Sequence, residues 1–78
     1  RRGVWHSEVA VRSASFEVPA SDVFVLLCVE GEWQVPGVTQ AIASMQGAVW
    51  RAADEPFHIH PIGPGRVLAI RLCQDRRA

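Results

Sequence analysis

Two histidines near the end of the chain offer the most evident chemistry in this sequence. His58 and His60 are separated by one residue, in a segment whose other side carries Phe57 and Ile59. Residues i and i+2 of a β-strand point to the same side, so both imidazoles could contact one ligand or anion. Three interpretations are open: solvent-facing strand histidines, contacts to a small molecule, and a metal site.

A metal at this histidine pair would need at least one further ligand, because stable divalent-metal sites use three or four protein side chains. His6 and Glu8 lie in the first patterned segment. They could complete the site only if that segment pairs beside His58 and His60. We therefore predict no bound metal and no cofactor.

Two tryptophans and two cysteines are the other side chains that bear on function. Trp33 and Trp50 can pack in the core with the indole N–H paired, or form the wall of an apolar pocket. Cys28 and Cys73 have no neighbouring histidine or helix N-terminus in the sequence that would lower the thiol pKa. The sequence contains no Gly-x-Ser-x-Gly elbow and no phosphate-binding glycine loop. We therefore predict no catalytic residue and the following ligand contacts: His58, His60 and Trp50.

Size and charge limit the class of protein. The chain has 78 residues, with eight Lys and Arg and eight Asp and Glu, so its formal net charge is zero. Balanced charge gives no long-range field for nucleic acid or anionic lipid, and no apolar run approaches the roughly 20 residues of a membrane helix. Neither a signal peptide nor a cysteine framework is visible. We predict a single cytoplasmic domain with free thiols, and a bacterial origin because Lys, Tyr and Asn are absent.

Hydrophobicity alternates with a period of two along most of the chain, which predicts β-strands. In the first segment, Val4–Ser13, the side with Trp5, Val9 and Val11 is apolar, and the charged side is expected to face water. The run Val23–Val29 is continuously apolar, which predicts a strand buried on both faces. Shorter or weaker strands are predicted at 16–18, 33–35, 38–42, 48–51, 57–62 and 66–73.

Glycine and proline separate these segments. They predict tight turns at 30–32, 36–37 and 63–65, and Ala43–Gln46 is the one place for a helical turn. Seven or eight short strands with such turns between them are typical of a β-sandwich or barrel. We therefore predict an all-β domain.

Three segments resemble the motifs of cupins, small jelly-roll barrels that hold a metal with His-x-His, a Glu and a further His. Val23–Glu32 (VFVLLCVEGE) is similar to the strand and glycine turn that end the first motif, and Val67–Leu72 to the strand after the second. His58, after Asp54–Phe57, stands where the histidine of the second motif belongs. The ligands of the first motif are missing, and Phe24 stands near the place of its carboxylate. The resemblance implies a cupin-like jelly-roll barrel, or half of a bicupin, without the cupin metal.

The chain as a whole resembles the C-terminal cupin half of the HutD/Ves family, small bacterial proteins associated with histidine utilisation. The resemblance rests on Arg1–Trp5, Val18–Ala20, Glu30–Val35 and Gly63–Leu72. It implies that residues 1–78 form one cupin-like β domain, expected to be a segment of a longer two-half protein. It also implies a role in binding a small metabolite rather than in catalysis.

Three functions are open at this point: a non-catalytic small-molecule binding protein, a structural half that completes a bicupin or dimer, and a metal-dependent cupin enzyme of the dioxygenase or isomerase type. We favour the first. A core of this size rarely supplies more than about 3–5 kcal/mol of stability. The strand edges also carry no lysine to protect them. We therefore expect a second cupin half or a second copy of the chain to cover apolar surface.

Overall fold

The computed structural model describes residues 4–75, which form five β-strands and contain no helix that could cross a membrane. All pairings are antiparallel, in the order β1-β5-β3-β4, and β2 pairs with the first residues of β5. The all-β prediction is confirmed. Residues 1–3, which begin the segment that resembles the HutD/Ves family, lie outside the described residues. The strands are β1 (Val4–Arg12), β2 (Phe16–Val18), β3 (Ser21–Gln34), β4 (Gly47–Ala53) and β5 (Phe57–Asp75).

Two strands are longer than predicted because they pass through glycines without turning. β3 continues through 30–32 and β5 through 63–65, so the turn predictions there are wrong. The two strands pair with register shifts at this point. A Cβ on Gly31 (φ +83°) would collide with the Pro64 carbonyl oxygen, and a Cβ on Gly65 would lie 2.5 Å from the Glu30 carbonyl oxygen. Only glycine fits two backbones this close, and the resulting bulge bends the paired strands rather than ending them.

The bend places the second half of the β3–β5 pair over the first, which gives two layers. One layer contains β1, β4, the start of β3 and the end of β5; the other contains β2, the end of β3 and the start of β5. Phe57 of the second layer contacts Phe24 of the first, with ring centroids 6.0 Å apart. The two layers bury one common core: Val18, Phe24, Leu26, Cys28, Trp33, Val35, Ile42, Ile59, Val67 and Ala69.

Trp33 and the loop after it complete the second layer. Trp33 is fully buried and its indole N–H donates to the Glu30 carbonyl oxygen at 3.3 Å, which confirms the core-packing interpretation for this residue. The predicted strand at 38–42 is wrong, since only Ile42 forms a bridge, to Trp33. The predicted helical turn at Ala43–Gln46 is a single hydrogen-bonded turn in which Met45 has a φ of 70°.

The first layer has two faces with different surroundings. The inner face points toward the second layer, and its side chains are Glu8, Ala10, Arg12, Phe24, Leu26, Cys28, Val67, Ala69 and Arg71. The outer face points away from it, and its apolar side chains are Trp5, Val9, Val11, Val23, Val25, Leu27, Val49, Leu68, Ile70 and Leu72. No element among residues 4–75 covers the outer face, and Val9, Val11 and Val49 are more than half exposed.

Two predictions about burial are therefore wrong. The apolar side of β1, with Val9 and Val11, is exposed rather than buried, while Glu8 and Arg12 on the charged side are exposed as expected, although they lie on the inner face. Val23–Val29 is buried on the Phe24 side only. The strand pattern is correct in both cases, but no element among residues 4–75 covers the second apolar face.

Candidate functional site

A pocket of about 140 Å³ opens between the inner face and β2. Its apolar part is formed by the buried side chains of Val18, Phe24 and Ala69, and charged side chains surround this apolar floor. The register of the sheet explains why charged and apolar side chains meet here. Arg71 of β5 pairs with Glu8 of β1 on one side and with Phe24 of β3 on the other. The full lining is Glu8, Ala10, Arg12, Phe16, Glu17, Val18, Pro19, Phe24, Ala69 and Arg71.

Arg71 is the best-anchored charge in this pocket. Its Nη1 donates to Glu8 Oε1 at 3.0 Å, and its Nε donates to Cys73 Sγ at 3.4 Å. The hydrogen bond to Cys73 raises the pKa of Arg71 above its ordinary value, and the nearby charge of Glu8 acts in the same direction. The guanidinium is therefore a permanent cation held in one orientation, and its other N–H groups can donate to a ligand.

A second cation lies on the β2 side of the pocket. The Arg12 guanidinium carbon lies 5.6 Å from the ring centroid of Phe16, within range of a cation–π contact. Phe16 in turn packs edge-to-face on the buried Trp33, with centroids 6.3 Å apart. Glu17, the next residue on β2, is part of the lining, but its side chain points to the solvent side together with its cross-strand partner His58. Two arginines and Glu8 thus lie around one small apolar floor.

His58 and His60 lie together, as predicted, but outside this lining. Both are exposed, their rings stack at 11° with centroids 6.0 Å apart, and the Ser15 hydroxyl lies 3.1 Å from His60 Nδ1. They flank the buried Ile59, so they occupy the solvent side of the second layer. The structure brings the two histidines to each other and not to the pocket.

Trp50, the third predicted contact, lies on the inner side of the molecule. Its ring centroid is 5.6 Å from that of Phe24 and 5.0 Å from that of Phe57. Phe24 belongs both to this aromatic cluster and to the pocket lining. Trp50 therefore supports the pocket wall through Phe24, while His58 and His60 lie elsewhere.

The topology bears directly on the metal hypothesis. β1 pairs with residues 67–75 of β5, whereas His58 and His60 lie at the opposite end of that strand, beside β2 and β3. The condition under which His6 or Glu8 would join the histidines is not met. Within residues 4–75, no three His, Cys, Asp or Glu side chains are grouped so that they could hold a metal ion.

The two cysteines have different surroundings. Cys28 is fully buried, and its thiol donates to the carbonyl oxygen of Gly31 at 3.3 Å. Burial raises the pKa of Cys28, and the hydrogen bond to the backbone of Glu30 only partly opposes this. Cys73 is half-buried and accepts from Arg71. Cys28 is therefore an unreactive core thiol, and Cys73 helps to hold Arg71.

Sequence reasoning missed the charged residues of the pocket, although a signal was present. Arg71 interrupts the apolar strand Val67–Leu72 on the side of Val67 and Ala69, which the structure shows to be the inner face. Glu8 and Arg12 alternate with apolar residues on β1. A charged residue on the same side of a strand as core residues would have indicated the pocket.

Comparisons of the chain with family models, with characterised proteins and with solved structures found no match.

Proposed function

We propose that this chain is a non-catalytic, cupin-like protein that binds a small metabolite in the pocket between the inner face and β2. The observation that carries the proposal is the set of charges on an apolar floor: Arg71 and Arg12 with Glu8. The antiparallel sheet supports the all-β part of the proposal, and the cupin resemblance supplies its jelly-roll architecture.

The size of the pocket limits the ligand. Pockets for drug-sized molecules usually measure about 300–1,000 Å³, and this one measures about 140 Å³. At roughly 30 Å³ of liquid volume for each water molecule, the space corresponds to about five waters. A small amino acid or organic acid fits this space, whereas a nucleotide would extend beyond it.

The charges of the pocket favour a zwitterion over an ion of one sign. Arg71 can donate to a carboxylate with the N–H groups that Glu8 and Cys73 leave. Glu8 can accept from an ammonium or imidazolium group through Oε2, the oxygen that Arg71 leaves, while Phe16 and Phe24 contact the carbon skeleton. The HutD/Ves resemblance adds a context, since histidine and its breakdown products carry this combination of groups.

The pocket lining also bears on the choice between binding and catalysis. It contains no serine, cysteine or histidine, and so none of the Ser–His or Cys–His pairs of nucleophilic catalysis. This composition supports binding over the enzyme alternative. Trp50 contributes through Phe24, and the predicted contacts at His58 and His60 stay a prediction about a separate surface.

Calorimetric titration with matched compounds tests the proposal. We expect zwitterionic amino acids, including histidine, to bind more tightly than succinate or a diamine of similar length. Arg71→Gln should weaken binding about tenfold or more, because a charge-assisted hydrogen bond is lost. The control is Arg66→Gln, which breaks an exposed ion pair with Glu30 away from the pocket. If no compound binds, or if both variants weaken binding equally, the proposal is wrong.

A further inference from the structure

The outer face is a continuous apolar surface that runs across all four strands of the first layer. Val9, Ile70, Val25 and Val49 form one row across β1, β5, β3 and β4. The next row is Val11, Leu68, Leu27 and Gly47, and the row on the other side is Ser7, Leu72, Val23 and Arg51. Nine of these twelve positions are therefore aliphatic.

The area of this face matches that of the largest apolar patch on a typical soluble monomer, a kind of patch that is often functional. Strands lie about 4.8 Å apart and same-face residues about 6.7 Å apart, so twelve positions cover roughly 400 Å². The largest apolar patch on a soluble monomer usually measures about 300–600 Å², and it is often a binding surface. Val9 is 62% exposed and Val49 is 57% exposed, at opposite edges of the sheet. The whole width of the face is thus open.

The chemistry of the face determines what can cover it. Arg51 is its only charged position, at the corner of the row that also contains Ser7, and it has no acidic residue. A charged or polar partner would gain no complementary contact there. The occupant must present a flat surface that is as apolar as this one, with its polar groups at the margin.

We propose that the occupant is a second copy of this chain, packed outer face to outer face around a two-fold axis. The outer face of a second copy is itself a flat apolar surface, and a two-fold axis brings the same patch of each copy together. Two twisted sheets that pack in this way align at about 30° with their mean planes about 10 Å apart, as in a β-sandwich. The aliphatic rows would then interdigitate, and Arg51 of each copy stays at the margin.

The dimer leaves the ligand pocket accessible. The pocket opens on the inner face, which is the opposite side of the same strands. Each copy therefore keeps a complete pocket that borrows no residue from the other. Dimerisation and ligand binding can consequently fail independently in experiments.

Sedimentation of the chain at about 100 µM tests the proposal, at a concentration where a modest interface is populated. We expect twice the 8.6 kDa mass of one chain. The double variant Val9→Glu and Val49→Glu should raise the dissociation constant at least about tenfold, because it places like charges in the interface. The control is Val38→Glu, at a position that is 44% exposed and outside the face. It should leave the dimer intact.

A measurement on the unsubstituted chain keeps the test decisive if the double variant does not fold. With a soluble paramagnetic agent in solution, methyl signals of Val9, Val25, Val49 and Ile70 should be protected, and those of Val38 and Met45 should broaden. A chain that stays monomeric overturns the proposal. So does a dimer protected along the β1 or β4 backbone instead, which would indicate edge-to-edge pairing. Binding to phosphatidylcholine vesicles in place of dimerisation would also overturn it, in favour of a lipid surface.

Discussion

Leu26 and Leu27 are neighbours on β3, yet Leu26 is fully buried in the inner face and Leu27 is 39% exposed on the outer face. The two faces of this sheet differ more in what covers them than in how apolar they are. The inner face even carries charges, Glu8, Arg12 and Arg71, where it meets the pocket. One sheet thus provides a pocket on its inner face and an apolar outer face that residues 4–75 leave uncovered.

The largest expected effect comes from shortening these two leucines. Leu26→Ala should lower the free energy of unfolding by about 2–5 kcal/mol, because it leaves a cavity in a closed core. Leu27→Ala should cost under about 1.5 kcal/mol when measured at a concentration where the chain is monomeric, since much of the side chain is already in water. Urea unfolding of both variants measures the difference. Equal losses would mean that the outer face is covered within the monomer.

The second prediction concerns the bend that creates an inner face at all. Gly31→Ala combines a positive φ with a collision against the backbone of Pro64, whereas Gly37→Ala has a similar φ of +80° in open space. Gly37→Ala should cost about 1–2 kcal/mol from the left-handed conformation alone. Gly31→Ala should cost more, because the β3–β5 pair must separate. Thermal unfolding tests the ranking, and a larger loss at Gly37 would contradict the tight crossing of the two strands.

The sequence predicts the strands better than it predicts their faces. Alternation in Val4–Ser13 and the apolar run Val23–Val29 are local properties, so both strands are where they are expected. Which side is covered depends on a layer far away in the chain, and the apolar side of Trp5 and Val9 is more hydrophobic than the side that faces the pocket. No local pattern could resolve that choice.

The bend and the pocket were difficult to predict for a related reason. A Glu-Gly-Glu segment is compatible with a turn or with a bulge, and the outcome depends on Gly65 lying opposite Gly31. The pocket requires Glu8 to pair in register with Arg71, two residues at opposite ends of the chain. His58 and His60 could be predicted as a pair because their relation is local.

A third, smaller effect on stability is expected at alkaline pH, and it comes from Cys28 on the inner face. Burial raises the pKa of Cys28, so the folded state keeps its proton at a pH where the unfolded state loses it. The stability contributed by the protonated thiol is complete below the unfolded pKa of about 8.5 and is lost as pH rises above it. Unfolding free energies from pH 7 to 10 should therefore fall less in Cys28→Ala than in the unsubstituted chain. Cys73→Ala is the control, and it should keep the steeper fall.

The smallest effects on stability are expected from the two ion pairs. One pair lies at the pocket and the other lies on the open surface. In the Arg66–Glu30 pair both side chains are more than half exposed, whereas Arg71 in the Arg71–Glu8 pair is 31% exposed. Solvent screening limits exposed pairs to a median of about 0–1 kcal/mol, so we expect double-mutant cycles to give a value near the lower end for Arg66–Glu30 and a larger one for Arg71–Glu8. Both should weaken in about 1 M salt, where the screening length falls to about 3 Å, and Arg66–Glu30 should weaken proportionally more. Equal coupling energies would mean that the position of Arg71 on the inner face does not strengthen its ion pair with Glu8. The anchored cation would then no longer distinguish the pocket from the surrounding surface.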